Sequence, residues 1–333
     1  MSAPLPQRPR RFPRVAAGPR LGLIGVLVLA GLTRAAAGAG AGLCIGTALG
    51  SAPPPPRGIL PSIAILVAAT FGLRLLEATF AEHLGQSFIS QVRLRLLDAA
   101  RRLQGPEEAD DGTHLGRLVS DLNALRNWVS LGFAQMLCGG VALVALLIFL
   151  AITDTTTFWI ASGCVAGVLL TALGVTPLLR AHIRMLRRIR GRMTRRVVKA
   201  VLTADDSSGF RGVPRLQRLL TPVAVRQALL MGWLRRAPEL MHGLFLLLIA
   251  FLVTSRRPHL HPAFHPVTTL LFLGLVATAL RELVHAWSHR LAFVESRRRI
   301  VRLLRSAREI DSEATASAQE SIPTIEPSAT ARA

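Results

Sequence analysis

The sequence predicts an all-α membrane protein of six long transmembrane helices with two helical extensions on the inner side. Three observations carry the prediction. Half of the 333 residues (51%) are hydrophobic and the mean hydropathy is +0.43, above what a soluble domain of this size usually shows. The apolar residues fall into six runs, several of which turn amphipathic and continue past the length a bilayer needs. The basic residues then sort to one side of the topology those runs imply.

Each element follows from its local sequence. Residues 1–20 are rich in Pro and Arg and read as a disordered, cytosolic tail. The first apolar run, Leu21 to about Leu49, is interrupted by Arg34. Its small residues, "AAAGAGAG", leave open a cleaved signal peptide, but its length and the spans that follow favour a retained anchor. "SAPPPPRG" (51–58) breaks the helix. The second run starts at Ile59, passes Phe80 and continues as the amphipathic "HLGQSFISQVRLRLLDAARRLQ". At 1.5 Å per residue, a helix of about 45 residues reaches well beyond a hydrocarbon core of roughly 30 Å. "GPEEADDG" (105–112) is an acidic turn, followed by the polar "LVSDLNALRNWVSLG" (118–132) and a third span to about Ile152. "TDTTT" (153–157) is a minimal outer turn. The fourth span, Phe158 to about Leu179, runs into "RAHIRMLRRIRGRMTRRVVKAVL", and "TADDSSGFRGVP" (203–214) turns the chain back. A fifth span lies in "WLRRAPELMHGLFLLLIAFLVTS", and "RRPHLHPAFHP" (256–266) forms an outer loop. The sixth span starts near Val267 and again outlasts the bilayer. Residues 306–333, rich in Ser, Thr, Ala and Glu, read as a disordered tail, leaving 21–305 as the six-helix domain.

The net charge of +21 tests this topology. Of 40 basic residues, 35 fall on the inner side or at its boundary, three fall outside (Arg57, Arg256, Arg257) and two fall within spans. That asymmetry obeys the positive-inside rule and places both termini in the cytosol, in what reads as a bacterial inner membrane. It also explains the charge without nucleic acid, since no aromatic residues interleave the basic runs to stack on bases. Cys44, Cys138 and Cys164 each sit inside an apolar run and read as packed small hydrophobes, with no disulfide or zinc spacing. The three histidines of the outer loop, His259, His261 and His265, lie in a Pro-broken segment and read as loop residues rather than metal ligands.

Two stretches then bear on function. After the first inner turn come Gly116, Leu118, Ser120, Asp121, Ala124, Leu125 and Arg126. In the second inner excursion stands "VKAVLTADDSSGFRGVPRLQRL" (198–219). With the pattern of extended helices, these resemble the transmembrane domain of type I ATP-binding-cassette exporters over residues 21 to about 305. "GPEEADDG" stands where that family commonly has aromatic residues. The resemblance implies a half-transporter that pairs with a second copy or a relative and works by alternating access. ATP and magnesium would be held by a separate phosphate-loop ATPase subunit. This chain has no G-x-x-x-x-G-K-[ST] motif: its one lysine, Lys199, has no glycine-rich turn before it. The alternative is an orphan membrane scaffold or regulatory protein of the same architecture, without transport.

The acidic turns at the tips of the inner excursions, Glu107, Glu108, Asp110 and Asp111 in the first and Asp205 and Asp206 in the second, are the expected contacts with the ATPase, set against a reading as plain solvated turns. Charges inside spans are costly and usually face a cavity or a partner. Arg34, Arg74, Glu77 and Glu282 are therefore the substrate-path candidates, set against structural ion pairs. Arg74 and Glu77, three residues apart, are spaced to pair on one helix face. Asp121 is expected to pair with an arginine between Arg187 and Arg196. His285 and His289 read as solvated on a basic inner helix, and His242 as a packed polar residue. No nucleophile–base or metal cluster suggests an enzyme.

Overall fold

The computed structural model describes residue 13 and residues 15–50, 58–103, 121–202, 207–254 and 266–320. Those residues are helical almost throughout, with no strand among them. The helices are α1 (Arg20–Gly50), α2 (Ile59–Leu103), α3 (Asp121–Thr153), α4 (Thr155–Leu202), α5 (Ser207–Thr254) and α6 (Pro266–Glu320). At 45, 48, 48 and 55 residues, α2, α4, α5 and α6 are each about 70–80 Å long, more than twice the thickness of a bilayer core.

Five of the helices, all but α5, are long and apolar enough to cross a membrane, so the chain is a multi-pass helical membrane protein. The most apolar end of α5 falls largely on residues 248–254, whose side chains, apart from Phe251, lie outside the described set. Two ends differ from expectation. The segment 15–20 packs rather than trails: Val15 lies against the core, and the Arg20 guanidinium donates to the Ser87 carbonyl (2.6 Å) and hydroxyl (3.1 Å). α6 runs on to Glu320, past the residue where a tail was expected. Residues 306–320 are mostly Ala, Glu, Arg and Ser with no Gly or Pro, so nothing in them stops a helix already under way.

Tight turns and small residues set the packing. Asp154, in extended conformation between α3 and α4, caps α4 by accepting from the Thr156 and Thr157 amides (3.0 and 3.3 Å). α1 and α3 approach at Gly31, where an added Cβ would sit 2.9 Å from the Cys138 carbonyl oxygen, the close backbone contact that small residues allow between membrane helices. Leu27, Leu84, Phe88, Ile89, Leu125 and Val129 build one core among α1, α2 and α3. Leu143, Leu146, Val168, Leu179, Val276 and Leu280 build a second among α3, α4 and α6. A third, small seam of Leu186, Ile189 and Val223 joins the extended parts of α4 and α5 into a hairpin.

Candidate functional site

The four charges placed within spans come together. Arg34 of α1 grips Glu282 of α6 with both ends of its guanidinium (Nη1–Oε1 3.1 Å, Nη2–Oε2 2.7 Å) and reaches Glu77 of α2 with Nη1 (Oε2, 3.1 Å). Arg74, one turn before Glu77, donates to Glu282 Oε1 at 2.9 Å. The first two helices and the last are thus joined at one level by two cations and two carboxylates. The side chains of Arg34, Glu77 and Glu282 are 11–13% exposed and that of Arg74 is 50% exposed, so the cluster is closed on one side and open on the other.

The expected pairing of Arg74 with Glu77 does not form. Each turns to another helix, Arg74 to α6 and Glu77 to α1, because a charge-assisted bond to a buried partner outweighs an i,i+3 contact worth only a few tenths of a kcal/mol. Arg281, beside Glu282 in sequence, points elsewhere, 4.0 Å from Glu239 of α5.

The wall behind the cluster is Gly139 of α3: a Cβ there would lie 3.2 Å from Glu282 Oε2, tight enough that the Glu282 side chain would have to give way by a few tenths of an ångström. Glu77 Oε1 is buried and accepts no hydrogen bond. On the exposed side Arg34, Arg74 and Glu282 border a cavity of about 360 Å³ between α1, α2, α3 and α6. Its walls include Gly38, Gly42, Val67, Ala142 and Leu275, so it offers an apolar trough with charge at one end. The small residues of α1 that resembled a cleavage site are what open this space.

Other candidates are placed differently. Glu107, Glu108, Asp110, Asp111, Asp205 and Asp206 lie outside the described residues, as does the outer histidine loop. Asp121 pairs with Arg299 of α6 (3.9 Å) rather than with an arginine of α4, since α6 lies beside the start of α3 and Arg187 is engaged with the Ala292 carbonyl (3.2 Å) and the Ser296 hydroxyl (3.4 Å). Arg126 is bound to Glu82 of α2, and Trp128 is buried against Phe293 (centroids 5.6 Å). The polar stretch before the third span therefore clamps α2 and α6 together.

His285 and His289 are partly buried rather than solvated. Their rings meet edge to face at 4.8 Å, His285 Nδ1 lies 3.2 Å from Gln135 Oε1, and His289 Nε2 is buried without a hydrogen-bond partner. His289 lies against Gly132, in a π-helical segment of α3, Trp128–Phe133. Such wide turns recur at functional sites. The basic residues around the histidines masked this in the sequence; Gln135 and the adjacent "LGF" gave no signal. Among the described residues no group of three or more His, Cys, Asp or Glu is arranged to hold a metal ion. Compared with known proteins, the chain matches no family model and no curated protein.

Proposed function

We propose that this chain is the membrane-spanning subunit of an ATP-driven exporter, with six spans, working as a pair and driven by a separate ATPase. The observation that carries the reading is the α4–α5 hairpin. Two 48-residue helices, locked at Leu186, Ile189 and Val223, continue far past the bilayer as one stiff arm. A stiff arm ending in a short turn transmits motion at its tip into the membrane as a hinge or shear movement of packed helices. ATP and magnesium belong to the partner, because this chain offers no phosphate loop to hold them.

The ion-pair cluster supplies the element that such motion acts on. Arg34 holds α1 to α2 and α6 at one level, and the cavity beside it lies between the same helices. Alternating access requires those helices to separate and close again. A salt-bridge cluster with two cations and two anions has more than one matched arrangement, so partners can exchange as the helices shift without leaving a bare charge in the membrane.

The test is to tag the C-terminus, extract the chain in mild detergent, and assay what co-purifies for ATP hydrolysis. A stoichiometric phosphate-loop ATPase, lost when Glu107–Asp111 or Asp205–Asp206 are neutralised, supports the reading. A chain that purifies alone without nucleotide turnover replaces it with a scaffold or regulatory role.

A further inference from the structure

We infer that the flank of the α4–α5 hairpin is a docking surface for an acidic protein face, that of the ATPase subunit, on whose existence under the proposed function this inference rests. The observation is a regular row of arginines. Arg180, Arg184, Arg188, Arg192 and Arg196 stand four residues apart along α4, and all five are exposed. Residues four apart on a helix lie about 6 Å apart along the axis and drift by about 40° around it, so the row forms one continuous ridge that winds slowly along the arm.

No carboxylate among the described residues pairs with Arg180, Arg184, Arg188 or Arg192, nor with Arg215, Arg218 and Arg226 on the facing helix. Between residues 180 and 236 the sequence holds fifteen basic residues against two acids, Asp205 and Asp206, for a net +13. Orienting a span needs only a few positive charges near its inner end. Where this run has no paired carboxylate, at Arg180, Arg184, Arg188 and Arg192 on α4 and at Arg215, Arg218 and Arg226 on α5, it repels itself unless a polyanion covers it.

Three polyanions are available, and chemistry separates them. Anionic lipid headgroups reach the base of the ridge. Arg188 and Arg192, however, stand about 12 and 18 Å further along α4 than Arg180, beyond a Debye length of about 8–10 Å from the surface. Nucleic acid is held through phosphates by Lys, Arg and small polar side chains. Here the arginines are interleaved instead with exposed apolar residues, Met185 on α4 and Leu219, Val225 and Leu229 on α5. Arginine with Met and aliphatic residues, and almost no lysine, is the composition of a protein–protein interface, and a guanidinium matches a carboxylate with two parallel hydrogen bonds.

The experiment uses the full chain in zwitterionic nanodiscs and the phosphate-loop ATPase that co-purifies with it, with affinity read by fluorescence anisotropy. R188E/R192E is compared with R188K/R192K and with R93E/R302E, which reverses two inner-side arginines away from the hairpin. All variants are checked for monodispersity and for an inward-facing C-terminal tag; R188Q/R192Q replaces the reversal if it aggregates. The expected result is at least a tenfold loss for the reversal (or for the Gln pair), a smaller loss for the Lys pair, which keeps the charge but not the two parallel hydrogen bonds, less than threefold for R93E/R302E, and weakening with added salt.

Equal losses for R188E/R192E and R93E/R302E, or no loss for either, overturn the docking surface while leaving the exporter reading intact. So does tighter binding of a DNA duplex, which makes nucleic acid the occupant, or binding that appears only with anionic lipid. If no ATPase co-purifies with the wild-type chain, the function and the inference fall together.

Discussion

Glu282 and Glu77 carry the same charge, yet their neighbourhoods assign them unequal weight. Glu282 accepts three hydrogen bonds from two arginines, whereas Glu77 accepts one and leaves Oε1 bare. Glu282→Ala removes the carboxylate that Arg74 binds and leaves Arg34 with Glu77 alone, and breaking a buried pair costs about 3–5 kcal/mol. Glu77→Gln keeps an oxygen that accepts from Arg34 and takes only the charge out of that single bond, for a loss of about 1 kcal/mol. Thermal unfolding in detergent should therefore show a much lower midpoint for the first variant than for the second. Arg34→Leu combined with Glu282→Leu should cost clearly less than the two single changes added together, because residues in one ion-pair network are not additive. An additive result would mean that the two side chains do not depend on each other.

At the scale of the helices, glycines decide how close the elements come. Gly31→Val pushes a side chain into the Cys138 backbone, which has no rotamer to retreat into, so α1 and α3 must move apart. Gly132→Val drives a side chain into the Trp128 ring, itself held by Phe293. Each should destabilise by about 1–3 kcal/mol, the usual penalty of overpacking, measured as a shift of the unfolding midpoint, whereas Gly174→Ala, which meets nothing, should be silent. These contacts also explain what the sequence could and could not disclose. Arg34, Arg74, Glu77 and Glu282 each stood out because a charge interrupts an apolar run. Which one binds which depends on the level at which three helices cross, and no local periodicity encodes that. Arg74 and Glu77 looked like a pair only because spacing within one helix is all that a sequence displays directly. The histidines failed in the opposite way: basic neighbours made them look wet, while their burial comes from a widened turn on another helix.

For the molecule as a whole, the long helices were legible from runs that outlast a bilayer, and the positive-inside count predicts a direction for each crossing. α5, absent from the five candidate spans among the described residues, is the helix on which the expectation of six spans turns. In a chain stripped of its three cysteines, a single cysteine at Ser255 should react with an impermeant maleimide from the outside of sealed cells, and one at Ala204 only after lysis. Reaction of both from the same face would mean that α5 does not cross and that five spans, not six, describe the protein. The same experiment places the α4–α5 arm, because Ala204 falls in the four residues of sequence between α4 and α5.

Arg34 and Glu282 are separated by 248 residues. A ribosome adds about 5–20 residues each second, so Arg34 enters the membrane tens of seconds before its main counter-ion is made. During that interval Glu77 alone must serve both Arg34 and Arg74, and the nascent bundle carries one surplus positive charge inside the hydrocarbon, an excess worth roughly 3 kcal/mol on insertion scales. The ion-pair cluster is thus complete only once α6 is made: a chain that ends at residue 265 should be cleared rapidly by membrane proteases in a pulse-chase experiment, and co-expression of a fragment carrying residues 266–333 should prolong its life. Supplying that fragment with Glu282→Gln should not.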